Sequence, residues 1–255
     1  MSGASGVGRW LPPQHGAWAF LIVPLLLGLS TADPAWVMVP FAVAWVAAYP
    51  LSYFVLQWTR APQRRRPRYL APLRLWAAVV TPLAVLLLLV RPWLVWAGLA
   101  WAASFAVNAA FARRNDERNL GNDLVQVFQS ASALPVFWLL GQETYTGISP
   151  PPAADIPADV WVLTAACVLA FTGSVLHVKS LIRERRDPRW MWASRVYAVA
   201  VVPVAWWLSP WLTVPFAFLA IRAWAITPDR APKPAVLGAV EAVGSLLLVA
   251  FGWLV

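Results

Sequence analysis

The stretch FARRNDERNLGNDLVQ, residues 111–126, gathers carboxylates and amides in a chain otherwise dominated by Ala, Leu, Val and Trp. Asp116, Asn119 and Asp123 recur there at i, i+3 and i+7. On an α-helix, positions so spaced fall within roughly 60° of one another. Oxygen donors on one stripe suit Mg2+, a hard cation that commonly bridges to phosphate oxygens. Arg113, Arg114 and Arg118 beside them can hold phosphate oxygens through charge-assisted hydrogen bonds. The same residues also describe a helix start, with Asn115 as N-cap and Asp116 and Glu117 in the first turn, at the positive end of the helix dipole. Asp123 lies deeper, where an ionisable residue is costly and more often functional.

A second polar cluster is HVKSLIRERRDPRW, residues 177–190. His177, Ser180 and Glu184 again fall at i, i+3 and i+7, Gly173 continues the stripe inward, and Asp187 lies near the same face. Lys179, Arg183 and Arg185 surround them, and Arg64, Arg65 and Arg66 form a further basic run in RRRPRYLAP. The sequence thus offers Asp116, Asn119, Asp123, Glu184 and Asp187 as metal donors. Arg64, Arg65, Arg66, Arg118, Lys179, Arg183 and Arg185 are the phosphate-binding candidates. His177 suits an interhelical hydrogen bond as well as a site. Glu241, alone in VLGAVEAVGSLLL, is expected to face the protein interior and pair with a basic or hydroxyl group, as a structural ion pair or a proton site.

These residues must be positioned by membrane helices. The chain has 255 residues, 60% of them hydrophobic and 12% charged, with a mean hydropathy of +0.63. A soluble domain carries about 25% charged residues. Apolar runs of about 20 residues fit bilayer-spanning helices and are too long and continuous for barrel strands. The pattern predicts a single all-α domain over 1–255 with nine transmembrane helices, at 14–32, 35–57, 71–90, 92–112, 119–141, 158–182, 192–208, 210–227 and 235–254. Tight proline-containing turns such as TADPAW, VRPW and LSPW separate the members of helix pairs. Residues 9–32 also resemble a signal peptide, but the run is long enough to span, and a retained first helix is the better reading. Nineteen of the 20 Lys and Arg, all but Arg91, fall on one side of this arrangement. The positive-inside rule puts that side, and the N-terminus, in the cytoplasm of a bacterial inner membrane. The net charge of +9 therefore reflects topology, with the bilayer and not nucleic acid as partner. Cys167 is the single cysteine, which excludes an intrachain disulfide and a Cys/His metal motif. Of the 18 tryptophans, Trp18, Trp36, Trp58, Trp93, Trp161, Trp190, Trp192 and Trp211 lie near predicted helix ends. Such positions suit an interfacial aromatic belt or an aromatic lining for a cation or quinone-like ring.

Three pieces, PPQHGAWAFLIVPLLLG, RRNDERNLGNDL and VKSLIRERRDPRW, resemble the YwiC-like family of bacterial membrane proteins. The overall plan is also similar to the UbiA superfamily of intramembrane prenyltransferases, in helix number, orientation and polar loops after helices two, four and six. That resemblance implies a UbiA-like bundle binding an isoprenoid diphosphate through Mg2+ at two Asp-rich motifs, NDxxDxxxD and DxxxD. Asn115, Asp116, Asn119 and Asp123 match the first with one Asp replaced by Asn, but after helix four rather than helix two. SLIRERRD resembles the second in its expected place, with Glu184 at the first acidic position and Asp187 out of step by one. After helix two the chain has arginines and no carboxylate. A divergent prenyltransferase is therefore one reading. A non-catalytic protein binding a quinone, lipid or haem-type cofactor for a respiratory complex is a second, and a small-solute transporter a third. Transport would predict short, broken helices in corresponding places, which the regular pairing does not offer.

Overall fold

The computed structural model describes residues 10–13, 17–230 and 232–255, with the side chain of Arg230 excepted. Arg9, His15 and the start of the predicted first helix at 14–16 lie outside the described residues. Among the described residues the regular structure is helical throughout. Nine helices follow in order: α1 Ala17–Thr31, α2 Met38–Arg60, α3 Pro67–Val90, α4 Leu94–Arg113, α5 Leu120–Gly141, α6 Ala158–Ile182, α7 Pro188–Leu208, α8 Thr213–Ala225 and α9 Pro234–Gly252. Helices dominate because a bilayer offers backbone N–H and C=O groups no partner outside the segment itself. Seven of the nine are long and apolar enough to cross a membrane. α1, at 15 residues, and α8, at 13, are shorter. The chain is a multi-pass membrane protein.

The chain separates into two compact units. Among the described residues, unit 1 comprises 10–13, 32–125 and 136–155, and unit 2 comprises 17–31, 126–135, 156–230 and 232–255. The chain passes between them within α5, which is interrupted at Ser132. The cause is three residues further on: Pro135 has no N–H to give, and its ring crowds the carbonyl one turn back, at Ala131.

In unit 1, α2 and α3 pack along each other, joined by a turn bounded by Pro62 and Pro67. Pro67 is the first residue of α3, where a missing N–H costs nothing because that donor has no intrahelical acceptor. Phe41, Trp45, Trp101 and Phe137 form an aromatic cluster. The Phe41 and Phe137 rings meet edge to face at 4.8 Å, and those of Trp45 and Trp101 lie 5.1 Å apart. At the opposite end from the α2–α3 turn, the indole N–H of Trp96 donates to the Ile148 carbonyl at 2.8 Å, and the Tyr145 hydroxyl donates to Asp155 at 2.7 Å.

In unit 2, α7 packs on both α6 and α8, and α1 packs on α6 and α9. The Tyr197 hydroxyl donates to the Leu169 carbonyl at 2.9 Å. Its ring covers Gly173, where a Cβ would come within 3.3 Å of it. Phe20 stacks on Phe171 at 4.4 Å, and the Ser130 hydroxyl donates to the carbonyl of Phe20.

Tryptophan exposure follows the belt expectation in part. Trp36, Trp161, Trp192 and Trp211 are exposed, whereas Trp93 is only 2% exposed. Trp93 precedes α4 and is a packing residue rather than a member of an interfacial belt.

Candidate functional site

The loop between α4 and α5 departs from the helical stripe expected at Asp116, Asn119 and Asp123. Asn115 adopts a left-handed conformation, φ 56°. The Asn115 N–H donates to the Ala112 carbonyl at 3.1 Å and the Asp116 N–H to the Phe111 carbonyl at 3.0 Å. This pair of bonds is a Schellman closure. Asn115 therefore ends α4 and does not cap α5. Asp116 and Asn119 lie in the turn that follows, and of the three only Asp123 is helical, in the first turn of α5. The Asn119 amide donates to the Asp116 carboxylate at 2.9 Å, and its oxygen accepts from the Gly121 N–H at 2.9 Å. Both ends of Asn119 are thus committed locally. Glu117, expected in a first helical turn, instead forms an ion pair with Arg60, whose guanidinium also donates to Asn115 at 3.2 Å. Asn122, not singled out from sequence, is 2% exposed and donates to the Glu117 carbonyl at 2.6 Å.

The second stripe is also broken by a helix end. His177 and Ser180 lie on α6, and the Ser180 hydroxyl donates to the His177 carbonyl at 2.8 Å. Glu184 lies beyond Ile182, in the turn to α7. Asp187 is the N-cap of α7, its carboxylate accepting from the Arg189 N–H at 3.0 Å. Arg183 and Arg185 are exposed, while Lys179 is buried with its ammonium 5.8 Å from the Trp190 ring centre. Arg118 is exposed in unit 1.

Within either unit, among the described residues, no three His, Cys, Asp or Glu side chains come together as a metal site. Asn119 is spent on its turn and Asp187 on its cap.

What unit 1 does build is a basic pocket of about 650 Å³ at the α2–α3 turn and the end of α4. It is lined by Arg60, Arg65, Arg68 and Arg113 together with Gln57, Tyr69 and Asn115, and by no carboxylate. The fold explains the convergence. α2 ends at Arg60, the short 3-10 turn Gln63–Arg65 presents Arg65, the first turn of α3 presents Arg68, and the last turn of α4 presents Arg113. Of the arginines expected to bind phosphate, Arg65 and Arg113 are in the lining. Arg64 shares its turn but does not line the pocket. Arg66 is turned away, 5.0 Å over Trp58 and donating to the Ala61 carbonyl at 3.2 Å. Sequence reasoning treated Arg60 and Arg68 as topology markers only. The missed signal was a basic residue at the last position of α2, three residues before a second Arg-rich turn.

Unit 2 holds a buried polar group. Arg222 on α8 is 4% exposed and ion-paired with Glu241 on α9, in keeping with the expectation that Glu241 finds a basic partner. His177 on α6 is 2% exposed.

A helical membrane protein carrying an arginine-lined pocket and a buried ion pair is the class these features define. The model of the YwiC-like protein family matches residues 11–138, half of the chain, and the chain belongs to that family. It is 29% identical over 220 residues to the Bacillus subtilis (strain 168) protein described as uncharacterized protein YwiC, covering 84% of each chain. It is also 29% identical over 187 residues to a Haemophilus influenzae protein described only as uncharacterized, covering 72% of each. No solved structure matches.

Proposed function

We propose that this protein binds the phosphate or diphosphate head of an isoprenoid in the arginine pocket of unit 1, with the pocket open to the cytoplasm. The observation that carries the reading is the lining of Arg60, Arg65, Arg68 and Arg113 without a carboxylate. Planar guanidinium forks match phosphate oxygens bidentately. The volume falls within the roughly 300–1,000 Å³ range of small-molecule sites. Arg60 is held by Glu117 and Asn115, which fixes one fork before a ligand arrives. The ion pair is about one-third exposed and adds little stability itself, on the order of 0–1 kcal/mol. An isoprenoid tail is favoured over a free anion because the helices carrying the pocket present apolar side chains outward, among them Val43, Leu75 and Val107.

The UbiA resemblance adds prenyl transfer as the activity to test. In this chain the arginines stand after helix two, where that superfamily has its first Asp motif, so the binding step relies on guanidinium groups more than on Mg2+. A respiratory accessory protein binding a lipid diphosphate would share the pocket and lack the transfer. A quinone carries no charge to match these guanidinium groups.

The test is binding of farnesyl diphosphate and inorganic phosphate to the purified full chain, with and without Mg2+, beside Arg65→Ala and Arg113→Ala. A charge-assisted contact is typically worth ~1.5–3 kcal/mol, so each variant is expected to weaken binding by roughly tenfold or more. Binding of farnesyl diphosphate well above phosphate supports the isoprenoid reading. No binding in either condition removes it. Incubation with labelled diphosphate and a membrane extract, followed by release of diphosphate, separates an enzyme from a binding protein.

A further inference from the structure

Unit 2 contains polar atoms that the chain itself does not satisfy. His177 Nε2, Ser194 Oγ and Arg222 Nε have no hydrogen-bond partner within the chain. Their residues are 2%, 3% and 4% exposed, and they stand on three successive helices, α6, α7 and α8. A buried donor or acceptor left unmade costs about 1–3 kcal/mol, and such groups are normally satisfied by protein, water or ligand. Three such groups on successive helices call for partners that the chain does not supply.

The levels follow from contacts already described. The Arg195 guanidinium donates to the Ala223 carbonyl at 3.3 Å, which sets Ser194 and Arg222 at similar heights on α7 and α8. Tyr197 meets Leu169 and Gly173. In an antiparallel pair, moving three residues back along α7 moves as far forward along α6, which brings Ser194 towards the level of His177. Arg222 then joins Glu241 on α9.

The charge balance selects the ligand. The Arg222 cation is already neutralised by Glu241, so the cluster attracts no further anion, in contrast to the pocket of unit 1. Arg222 Nε can only donate, while Ser194 and a neutral His177 can donate or accept. The shared partner is then an uncharged oxygen that accepts at least one hydrogen bond. We propose that His177, Ser194 and the Arg222–Glu241 pair form an intramembrane site for a neutral oxygen ligand, either a water molecule or the carbonyl of a lipid-soluble quinone. This site is independent of the phosphate pocket and stands or falls without it.

The chain has two histidines, so His15→Gln leaves His177 as a single imidazole reporter. The experiment uses the full chain in lipid nanodiscs, with 15N-labelled histidine, and follows the Nε2 resonance of His177. Water in the site predicts an exchange cross-peak between that nitrogen and solvent protons. A carbonyl ligand predicts a shift of the resonance when menadione is added and none with inorganic phosphate. In either case Ser194→Ala is expected to move the resonance or remove the cross-peak. Ser180→Ala, which removes only the bond to the His177 carbonyl, leaves both in place. A resonance with no solvent exchange, no response to menadione and no response to Ser194→Ala would overturn the proposal. The first two readouts need no variant in the cluster, so a misfolded Ser194→Ala cannot mask the result.

Discussion

Removing the Glu241 carboxylate leaves the Arg222 guanidinium charged and only 2% exposed at its side chain. Breaking one half of a buried pair costs more than the pair is worth, because the surviving charge stays desolvated. Glu241→Ala is expected to destabilise the protein by about 3 kcal/mol, and the double variant Arg222→Met, Glu241→Leu by much less. Thermal unfolding in detergent, read by tryptophan fluorescence, checks the order of the two. At the other end of the polarity scale, the Tyr145 hydroxyl bonds to Asp155 in the loop before α6. That hydrogen bond holds the phenol above its ordinary value of 10.0. A group whose pKa is raised by folding contributes stability that is complete below the unfolded value and lost as pH rises through the folded one. The loop contact is therefore intact at neutral pH and weakens only above pH 10. Asp155→Asn is expected to return the Tyr145 transition towards 10.0, observable as phenolate absorbance in a difference titration against Tyr145→Phe.

Helix α5 shows how backbone proximity constrains an element. At Gly141, its last residue, a Cβ would lie 2.7 Å from the Asp33 carbonyl oxygen and 3.0 Å from its nitrogen. Backbone cannot rotate aside, so Gly141→Ala is expected to cost about 1–3 kcal/mol. Gly98, inside α4, has nothing within 4 Å of its Cβ position. Gly98→Ala should be stabilising by up to about 1 kcal/mol through helix propensity. Melting temperatures of the two variants moving in the same direction would contradict this account. The elements themselves were largely legible from sequence, because runs of Ala, Leu, Val and Trp admit one backbone solution in lipid. Their ends were harder. Asn115 suits a left-handed C-terminal position as well as an N-cap, and the difference of one turn moved Asp116 and Asn119 off the expected stripe. Glu184 was displaced in the same way when α6 stopped at Ile182. The arginine pocket joins residues between 57 and 69 with residues at 112–115, and no local spacing encodes that meeting. Ser194 carried no signal at all, since a lone serine in a helix is ordinary until its partners are known.

At the scale of the whole molecule, the charge distribution and the helix lengths make competing demands on α8. Together with the 3-10 turn Pro210–Leu212, α8 rises by about 25 Å, from 1.5 Å per α-helical and 2.0 Å per 3-10 residue. A hydrocarbon core is about 30 Å thick, so α8 is short for a span. If it did not cross, Asp229 and Lys233 would stay on the side reached by α7, away from the other basic loops. Placing Lys233 on the same side of the membrane as the α6–α7 turn requires α8 to cross. A deficit of a few ångströms costs only fractions of a kcal/mol per ångström, through local thinning of the bilayer. A charge bias of sixteen to one among the Lys and Arg that precede α8 sets orientation far more strongly. The expectation is that α8 spans and that Asp229 faces the cytoplasm. Cys167, the only native thiol, is 0% exposed, which leaves a quiet background for labelling. In intact cells, a membrane-impermeant maleimide should reach Thr146→Cys and spare Gln63→Cys, Arg186→Cys and Asp229→Cys until the membrane is opened. Labelling of Asp229→Cys from outside, with Gln63→Cys and Arg186→Cys protected, would show that α8 turns back and that length had overruled charge at this helix.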